Sequence, residues 1–226
     1  MKRGLFVIGT GTDVGKTYVT ALLIKQMRQC GINAGYFKAA LSGAETDPNG
    51  RLIPGDAEAV CRIAGIPDKP ETLVPYIYKA AVSPHLAARW EGNPVDFNVV
   101  KERWKALEQR FDFLAAEGSG GIVCPLRRDT ECIDLIEVIK MTGYDAVLVA
   151  DAGLGTLNAI MLTAEYAGRH EVHICGIILN RFEEGNPMHL DNLYMAEQMT
   201  GIPVAACVHS GDTRLCENIS RIWTNI

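Results

Sequence analysis

The sequence predicts an α/β fold, a mainly parallel sheet flanked by helices on both faces. Short apolar runs alternate with longer segments of helical period, which is how strands and crossover helices succeed one another in such a sheet. The first apolar run passes through a glycine-rich loop into an amphipathic segment, so a strand, a loop and a helix follow in that order. No internal repeat, low-complexity tract or break in composition divides the 226 residues, and one domain over 1–226 is expected.

Along the chain the strands fall at residues 5–8, 34–37, 113–116, 146–150, 174–179 and 204–208. Between the first two, Val19, Leu22, Leu23 and Met27 recur at spacings of three and four, which predicts a helix over 16–30 with one buried face, closed by Gly31. Residues 42–84 are rich in Gly, Pro and Asp and hold little periodicity beyond a short helix over 56–64. A connection of that length in a compact domain is expected to shape a site at the carboxyl edge of the sheet. Val100, Trp104, Leu107 and Phe111 trace the buried stripe of another helix, and the charges of 101–110 are its solvated face.

Composition excludes several function classes. With 22 Lys and Arg against 27 Asp and Glu, a formal net charge of −5, the surface is not built to neutralise a nucleic-acid backbone. The chain is 48% hydrophobic and long enough to bury a core without disulfides. Its seven cysteines (Cys30, Cys61, Cys124, Cys132, Cys175, Cys207 and Cys216) are scattered and never form Cys-x-x-Cys. That pattern suggests neither a zinc site nor a redox pair, and fits small apolar residues in a reducing compartment. Met1-Lys2-Arg3-Gly4 runs directly into the first strand, and no apolar run approaches the ~20 residues of a membrane span. A cytoplasmic protein with no membrane or nucleic-acid partner is expected.

The chemistry is concentrated at the ends of strands. Gly9-Thr10-Gly11-Thr12-Asp13-Val14-Gly15-Lys16-Thr17 sits where a phosphate-binding loop belongs. Backbone N–H groups and the following helix start would surround a polyphosphate, with Lys16 on its β/γ oxygens and the Thr17 hydroxyl on Mg²⁺. The spacing is not the strict G-x-x-x-x-G-K-T: position 10 is threonine and the glycine is displaced to Gly9. Lys38 ends the second strand and, on spacing alone, serves equally as a crevice cation or as a solvated lysine. Asp56 is equally a helix N-cap. Glu117, followed by Gly118-Ser119-Gly120-Gly121, ends a buried strand where a carboxylate contact to Mg²⁺ is expected. The turn 151–158 opens a helix whose start would hold an anion or simply be capped by Thr156. Asn180 has an amide that would read a purine edge or cap a turn.

Together these residues resemble the dethiobiotin synthetases, ATP-dependent enzymes of biotin biosynthesis in the P-loop class that also holds the MinD/ParA-type ATPases. The resemblance spans roughly residues 4 to 181. It rests on the loop 9–17, on Lys38 followed by Ser42-Gly43, and on Gly55-Asp56-Ala57, Ser83-Pro84-His85, Glu117 with its glycines, Pro125-Leu126, Leu154-Gly155-Thr156-Leu157-Asn158 and Asn180. It implies a P-loop NTPase-like fold with ATP and Mg²⁺ as cofactors. Thr17, Asp56 and Glu117 would hold the metal. Lys16 and Lys38 would stabilise the transferred phosphoryl group and a carbamate, with Thr12 and Ser42 contacting phosphate or substrate. Asp13, Val14, Gly15, Lys16, Thr17, Tyr18, Asp56, Glu117, Gly118, Ser119, Gly120, Asn180 and Arg181 would form the nucleotide site. The implied substrates are 7,8-diaminopelargonate and CO₂ or bicarbonate. The implied assembly is a homodimer in which Gly155, Thr156 and Asn158 of the neighbouring subunit hold the substrate's distant carboxylate.

Two small departures accompany the resemblance: Ala39 stands where the family commonly has proline, and Ser119 where it commonly has alanine. A larger one follows residue 208, where the family's Pro-containing loop meets the nucleotide base and this chain reads His209-Ser210-Gly211-Asp212. The alternative function is a MinD/ParA-like ATPase switch without a small amine substrate. Such switches carry a signature lysine where this loop has Gly11, and residues 219–226 are too short and too weakly basic for a membrane anchor.

Overall fold

The computed structural model describes residues 4–215; Cys216 and segment 219–226 lie outside the described residues, as do Met1, Lys2 and Arg3. The first half of the chain runs β1 (Gly4–Gly9), α1 (Lys16–Gln29), β2 (Ala34–Lys38), β3 (Ala40–Leu41), β4 (Glu45–Thr46), β5 (Leu52–Ile53), α2 (Gly55–Ala64), a 3₁₀ turn at Pro70–Thr72, β6 (Tyr76–Ile77), α3 (Pro84–Trp90) and α4 (Phe97–Arg110). The second half runs β7 (Phe113–Glu117), β8 (Pro125–Arg128), β9 (Cys132–Asp134), α5 (Leu135–Thr142), β10 (Asp145–Asp151), α6 (Thr156–Arg169), β11 (Ile174–Asn180), α7 (Pro187–Thr200) and β12 (Val204–Val208).

Six strands form the central sheet in the order β12-β11-β10-β1-β7-β2, with every neighbouring pair parallel. These are the six strands expected from sequence, each within one residue of its expected bounds. Where they run on at the carboxyl end, the extra residues are Gly9, Lys38, Glu117, Asp151 and Asn180. An apolar run stops at the first polar residue, but the ladder continues one residue further, and those residues lie on the edge where α/β sheets bind ligands. β1, β2 and β7 are buried along their whole length, as expected of a parallel sheet covered on both sides.

Local chemistry sets the helix ends. α1 closes in a Schellman turn: Gly31 takes φ 84°, its N–H donates to Arg28 O, and Ile32 N–H donates to Met27 O. Asp96 caps α4 by accepting from Asn98 N at 2.7 Å, and Val100, Trp104 and Leu107 form its buried stripe. Asn186 caps α7 by accepting from Met188 N at 3.1 Å, with Pro187 at the first helical position. The 42–84 excursion folds into small pieces, the β4–β5 hairpin, α2 and β6, the last pairing with β3 just beyond the carboxyl end of β2.

Candidate active site

The loop between β1 and α1 is shaped by two glycines with steric roles. A β-carbon on Gly9 would lie 2.8 Å from Lys16 Cδ and 2.9 Å from Val14 Cγ2, because the lysine stem doubles back over this position. That is the physical reason for a glycine at 9, and it leaves position 10 free to be threonine. Gly15 takes φ 94°, and a β-carbon there would collide with Asn180 Nδ2. Lys16 Nζ donates to Gly11 O at 2.7 Å across the loop. From the end of β11, Asn180 Nδ2 donates to Val14 O at 3.0 Å. Arg181, at φ 56°, donates to Asp13 O and to Asp151 Oδ2, each at 2.6 Å. Asp13 itself sits at φ 60°, so two non-glycine residues in the left-handed region clamp the same loop.

Beside the loop, Lys38 and Glu117 are paired across the β2–β7 ladder. Both are buried, at 4% and 1% exposure. Lys38 Nζ lies 2.8 Å from Glu117 Oε1 and 2.6 Å from Asp56 Oδ2, which the first turn of α2 supplies. Thr17 Oγ1 donates to Glu117 Oε1 at 2.9 Å, and Tyr36, two residues before Lys38 on the same face of β2, donates its hydroxyl to Glu117 Oε2 at 2.9 Å. Burial opposes the charge on Lys38, but Glu117 and Asp56 outweigh it and raise the ammonium above its ordinary pKa. Burial likewise opposes ionisation of Asp56, and Lys38, with help from Thr17 and Lys16, brings that carboxyl below its ordinary range. Lys16 is pushed down by burial and by the Lys38 charge. Burial and the neighbouring Glu117 carboxylate hold the Tyr36 phenol well above its ordinary value, so it remains a donor.

These groups open onto a cleft of about 950 Å³, at the upper end of the ~300–1,000 Å³ of typical ligand sites. It brings together Thr12, Asp13, Gly15, Lys16, Thr17 and Tyr18 from the loop and α1. Lys38, Ser42 and Asp56 come from the β2 side, and Glu117, Ser119, Gly120 and Arg181 from the far strand ends. Ser119 is fixed by its hydroxyl donating to Ala40 O at 2.6 Å. Ala81, Val82, Ser83 and Pro84 complete one rim, so the long excursion shapes the site as expected.

Other expected residues stand back from the cleft wall, and two open alternatives for helix caps are decided. Val14 and Gly118 do not line the cleft; they shape backbone, Val14 by accepting from Asn180 and Gly118 by donating its N–H to Val7 O at 3.0 Å. Asn180 is buried and one N–H of its amide tethers the loop at Val14 O, which leaves its second N–H and its Oδ1 for other partners. Asp56 is not the N-cap of α2, which is Pro54, and its carboxylate is turned to Lys38. Gly155, not Thr156, stands at the N-cap of α6, and the Thr156 hydroxyl is buried without a hydrogen-bond partner. Gly155, Thr156 and Asn158 lie away from the cleft of their own chain. Sequence reasoning missed Tyr36, which reads as one more aromatic in a buried strand. It also missed Val123 and Cys124 on the cleft wall, although Pro125 beside them belongs to the motif series.

Among the described residues no cluster of three or more His, Cys, Asp and Glu side chains is arranged to hold a metal ion. The two carboxylates and one hydroxyl of Asp56, Glu117 and Thr17 are nonetheless an all-oxygen donor set. Mg²⁺ takes one or two carboxylates and fills its octahedron with phosphate oxygens and water, so the set fits that ion beside a nucleotide. No helix of the described residues is long and apolar enough to cross a membrane.

Comparison with known proteins agrees with this geometry. Residues 3–213 match a family model described as an AAA domain. The ATP-dependent dethiobiotin synthetase BioD of Brachyspira hyodysenteriae is 44% identical over 225 residues, covering 99% of this chain and 100% of that protein. Its namesake in Clostridium kluyveri is 46% identical over 207 residues, covering 91% and 85%. Among solved structures, the septum site-determining protein MinD of Pyrococcus horikoshii, complexed with Mg-ADP, aligns with a TM-score of 0.50 at 19% identity over 92% of this chain and 82% of that one. The MinC:MinD cell division complex of Aquifex aeolicus aligns at 0.56 with 10% identity over 92% and 81%. Those two share the P-loop α/β fold and nothing finer. Identity sustained above two-fifths along nearly the whole length of both sequences makes this chain a member of the ATP-dependent dethiobiotin synthetase family.

Proposed function

We propose that the cleft carries out the ATP- and Mg²⁺-dependent carboxylation and ring closure of 7,8-diaminopelargonate with CO₂, giving dethiobiotin, ADP and phosphate. The observation that carries it is the convergence of Lys16, Lys38, Thr17, Asp56 and Glu117 in one cleft at the end of a phosphate-binding loop. One amine takes up CO₂ and releases a proton, leaving a carbamate anion. A carbamate oxygen then accepts the γ-phosphoryl group, and the second amine attacks the activated carbon, expelling phosphate and closing the cyclic urea. Two anions must approach each other in the middle step. Lys16 and Lys38 offset that repulsion, Thr12 and Ser42 orient the reacting groups, and the loop amides hold the polyphosphate. Mg²⁺, held by Thr17, Asp56 and Glu117, would supply charge neutralisation at the β and γ oxygens. No enzyme nucleophile is required.

The substrate's carboxylate is assigned to Gly155, Thr156 and Asn158 of a second subunit. A homodimer is supported by α6, the turn before it and α7, which leave Leu154, Leu162, Leu190 and Tyr194 at 94%, 63%, 51% and 59% exposure. The partnerless buried hydroxyl of Thr156 at the start of α6 supports an anion there. The test is phosphate release from Mg²⁺-ATP and bicarbonate with and without the diamine, with the product followed by mass. Diamine-dependent turnover giving the substrate mass plus CO₂ minus water is the expected result, abolished in Lys38→Ala. ATP hydrolysis indifferent to the diamine would overturn it and favour a switch ATPase.

A further inference from the structure

Asp56 Oδ2 and Glu117 Oε1 are each within hydrogen-bond distance of Lys38 Nζ, at 2.6 and 2.8 Å, and the Thr17 hydroxyl is 2.9 Å from the same Glu117 oxygen. Two of the three side chains assigned above to the divalent cation, Asp56 and Glu117, are thus the ones that hold the lysine ammonium, and the third, Thr17, is bonded to one of them. A small divalent ion lies about 2.1 Å from its oxygen ligands, closer than the ~2.8 Å of an ammonium contact. An ion drawing on Asp56 Oδ2 and Glu117 Oε1 together would therefore stand in the space the Lys38 ammonium fills. Glu117 Oε2 already accepts from the Tyr36 hydroxyl at 2.9 Å, so Oε1, the oxygen that Lys38 and Thr17 share, is the one turned to a cation.

We propose that Lys38 is the resident counter-ion of the Asp56–Glu117 pair, and that a divalent cation binding those carboxylates displaces the lysine into the cleft, where it becomes free to meet the anionic substrate. This exchange rests on the assignment of the metal to Thr17, Asp56 and Glu117. Burial favours it over simple coexistence. Glu117 is 1% exposed and its charge needs a cation beside it at all times, whereas Asp56, 38% exposed at its side chain, is the carboxylate through which an ion can enter from the cleft. Lys38 supplies one charge to the pair and a divalent ion supplies two, which leaves the ammonium without its anchors. Its four-carbon stem can swing without backbone movement. Lys16 is no substitute, because its ammonium is committed to Gly11 O on the other side of the loop. The consequence is an order of events in which the phosphoryl-stabilising lysine is withheld until the metal site is loaded.

The test has two independent readouts, neither of them turnover. Mn²⁺ is titrated into wild type, Lys38→Gln and Asp56→Asn, with free Mn²⁺ followed by electron paramagnetic resonance. Lys38→Gln is expected to bind about tenfold more tightly or better, since a competing charge in contact has been removed, and Asp56→Asn more weakly. On wild type, which avoids any folding defect of the variants, reductive methylation is quantified by peptide mass spectrometry. Lys38 labelling is expected to rise several-fold on saturation with Mg²⁺, while Lys25 labelling stays constant. Wild type that binds Mn²⁺ while Lys38→Gln binds no tighter, or Lys38 labelling that does not rise, overturns the displacement and leaves the metal site standing. Absence of Mn²⁺ binding in wild type and Lys38→Gln alike, or Asp56→Asn binding as well as wild type, overturns the metal assignment and the displacement with it.

Discussion

Gly15 has no room for a side chain. Its φ of 94° and the Asn180 Nδ2 atom, with which a β-carbon would collide, each penalise alanine there. Gly15→Ala is expected to lower the unfolding free energy by about 1–3 kcal/mol, the range for a strained backbone position, read from urea denaturation. It should also raise KM for ATP, because the Asn180 tether must give way. Tyr36 acts at one remove from substrate, by holding Glu117 Oε2. Tyr36→Phe removes that donor and leaves a buried carboxylate oxygen without it, so the carboxylate is expected to lose its fixed orientation. The apparent Mg²⁺ affinity should weaken roughly three- to tenfold while KM for the diamine stays close to wild type. A merely structural tyrosine would change the denaturation midpoint and leave the Mg²⁺ dependence alone.

At the scale of elements, α4 separates stability from function. Trp104 is 8% exposed and meets Tyr144 edge-on with centroids 6.1 Å apart, yet α4 contributes no residue to the cleft. Trp104→Ala is expected to cost about 3–5 kcal/mol of stability by thermal or urea denaturation, with KM for both substrates unchanged in the remaining folded protein. Its stripe was legible in the sequence because Val100, Trp104 and Leu107 follow the helical period. The sheet strands were legible for a similar reason, as apolar runs buried on both faces. α7 was not, and the cause is physical. It buries His189, Asn192 and Ala196 and exposes Met188, Leu190, Tyr194 and Met199, the reverse of an ordinary surface helix. The same inversion that hides the helix from a periodicity argument leaves its outer face apolar, as the proposed homodimer requires. Tyr36 was illegible because its role depends on which face of β2 it shares with Lys38 and on the register with β7. The roles of Asn180 and Asp56 likewise required knowing which loop or strand end stands opposite.

For the molecule as a whole, burial sets an alkaline limit. The Cys61 and Cys124 thiols are pushed by burial from an ordinary 9.0 to about 11, and the Tyr78 and Tyr144 phenols are raised above their ordinary value by the same cause. In the unfolded chain these groups lose their protons first, so above pH ~9 the unfolded state holds fewer protons than the folded one and stability falls as pH rises. Below that range their contribution is fully present. The urea midpoint is expected to be level between pH 7 and 8.5 and to drop steadily between pH 9 and 11; a midpoint that holds constant to pH 11 would contradict this. Strand order carries a consequence for how the molecule is made. β1 lies in the middle of the sheet, with Gly4 opposite Leu114 of β7 and Leu5 opposite Asp145 of β10. A ribosome delivers β1 first and both of its neighbours much later, so this buried apolar strand and its phosphate-binding loop wait unpaired through most of synthesis. Contacts so distant in sequence slow folding and leave the nascent chain dependent on protection from aggregation, and nucleotide affinity appears only after the far half of the chain has emerged.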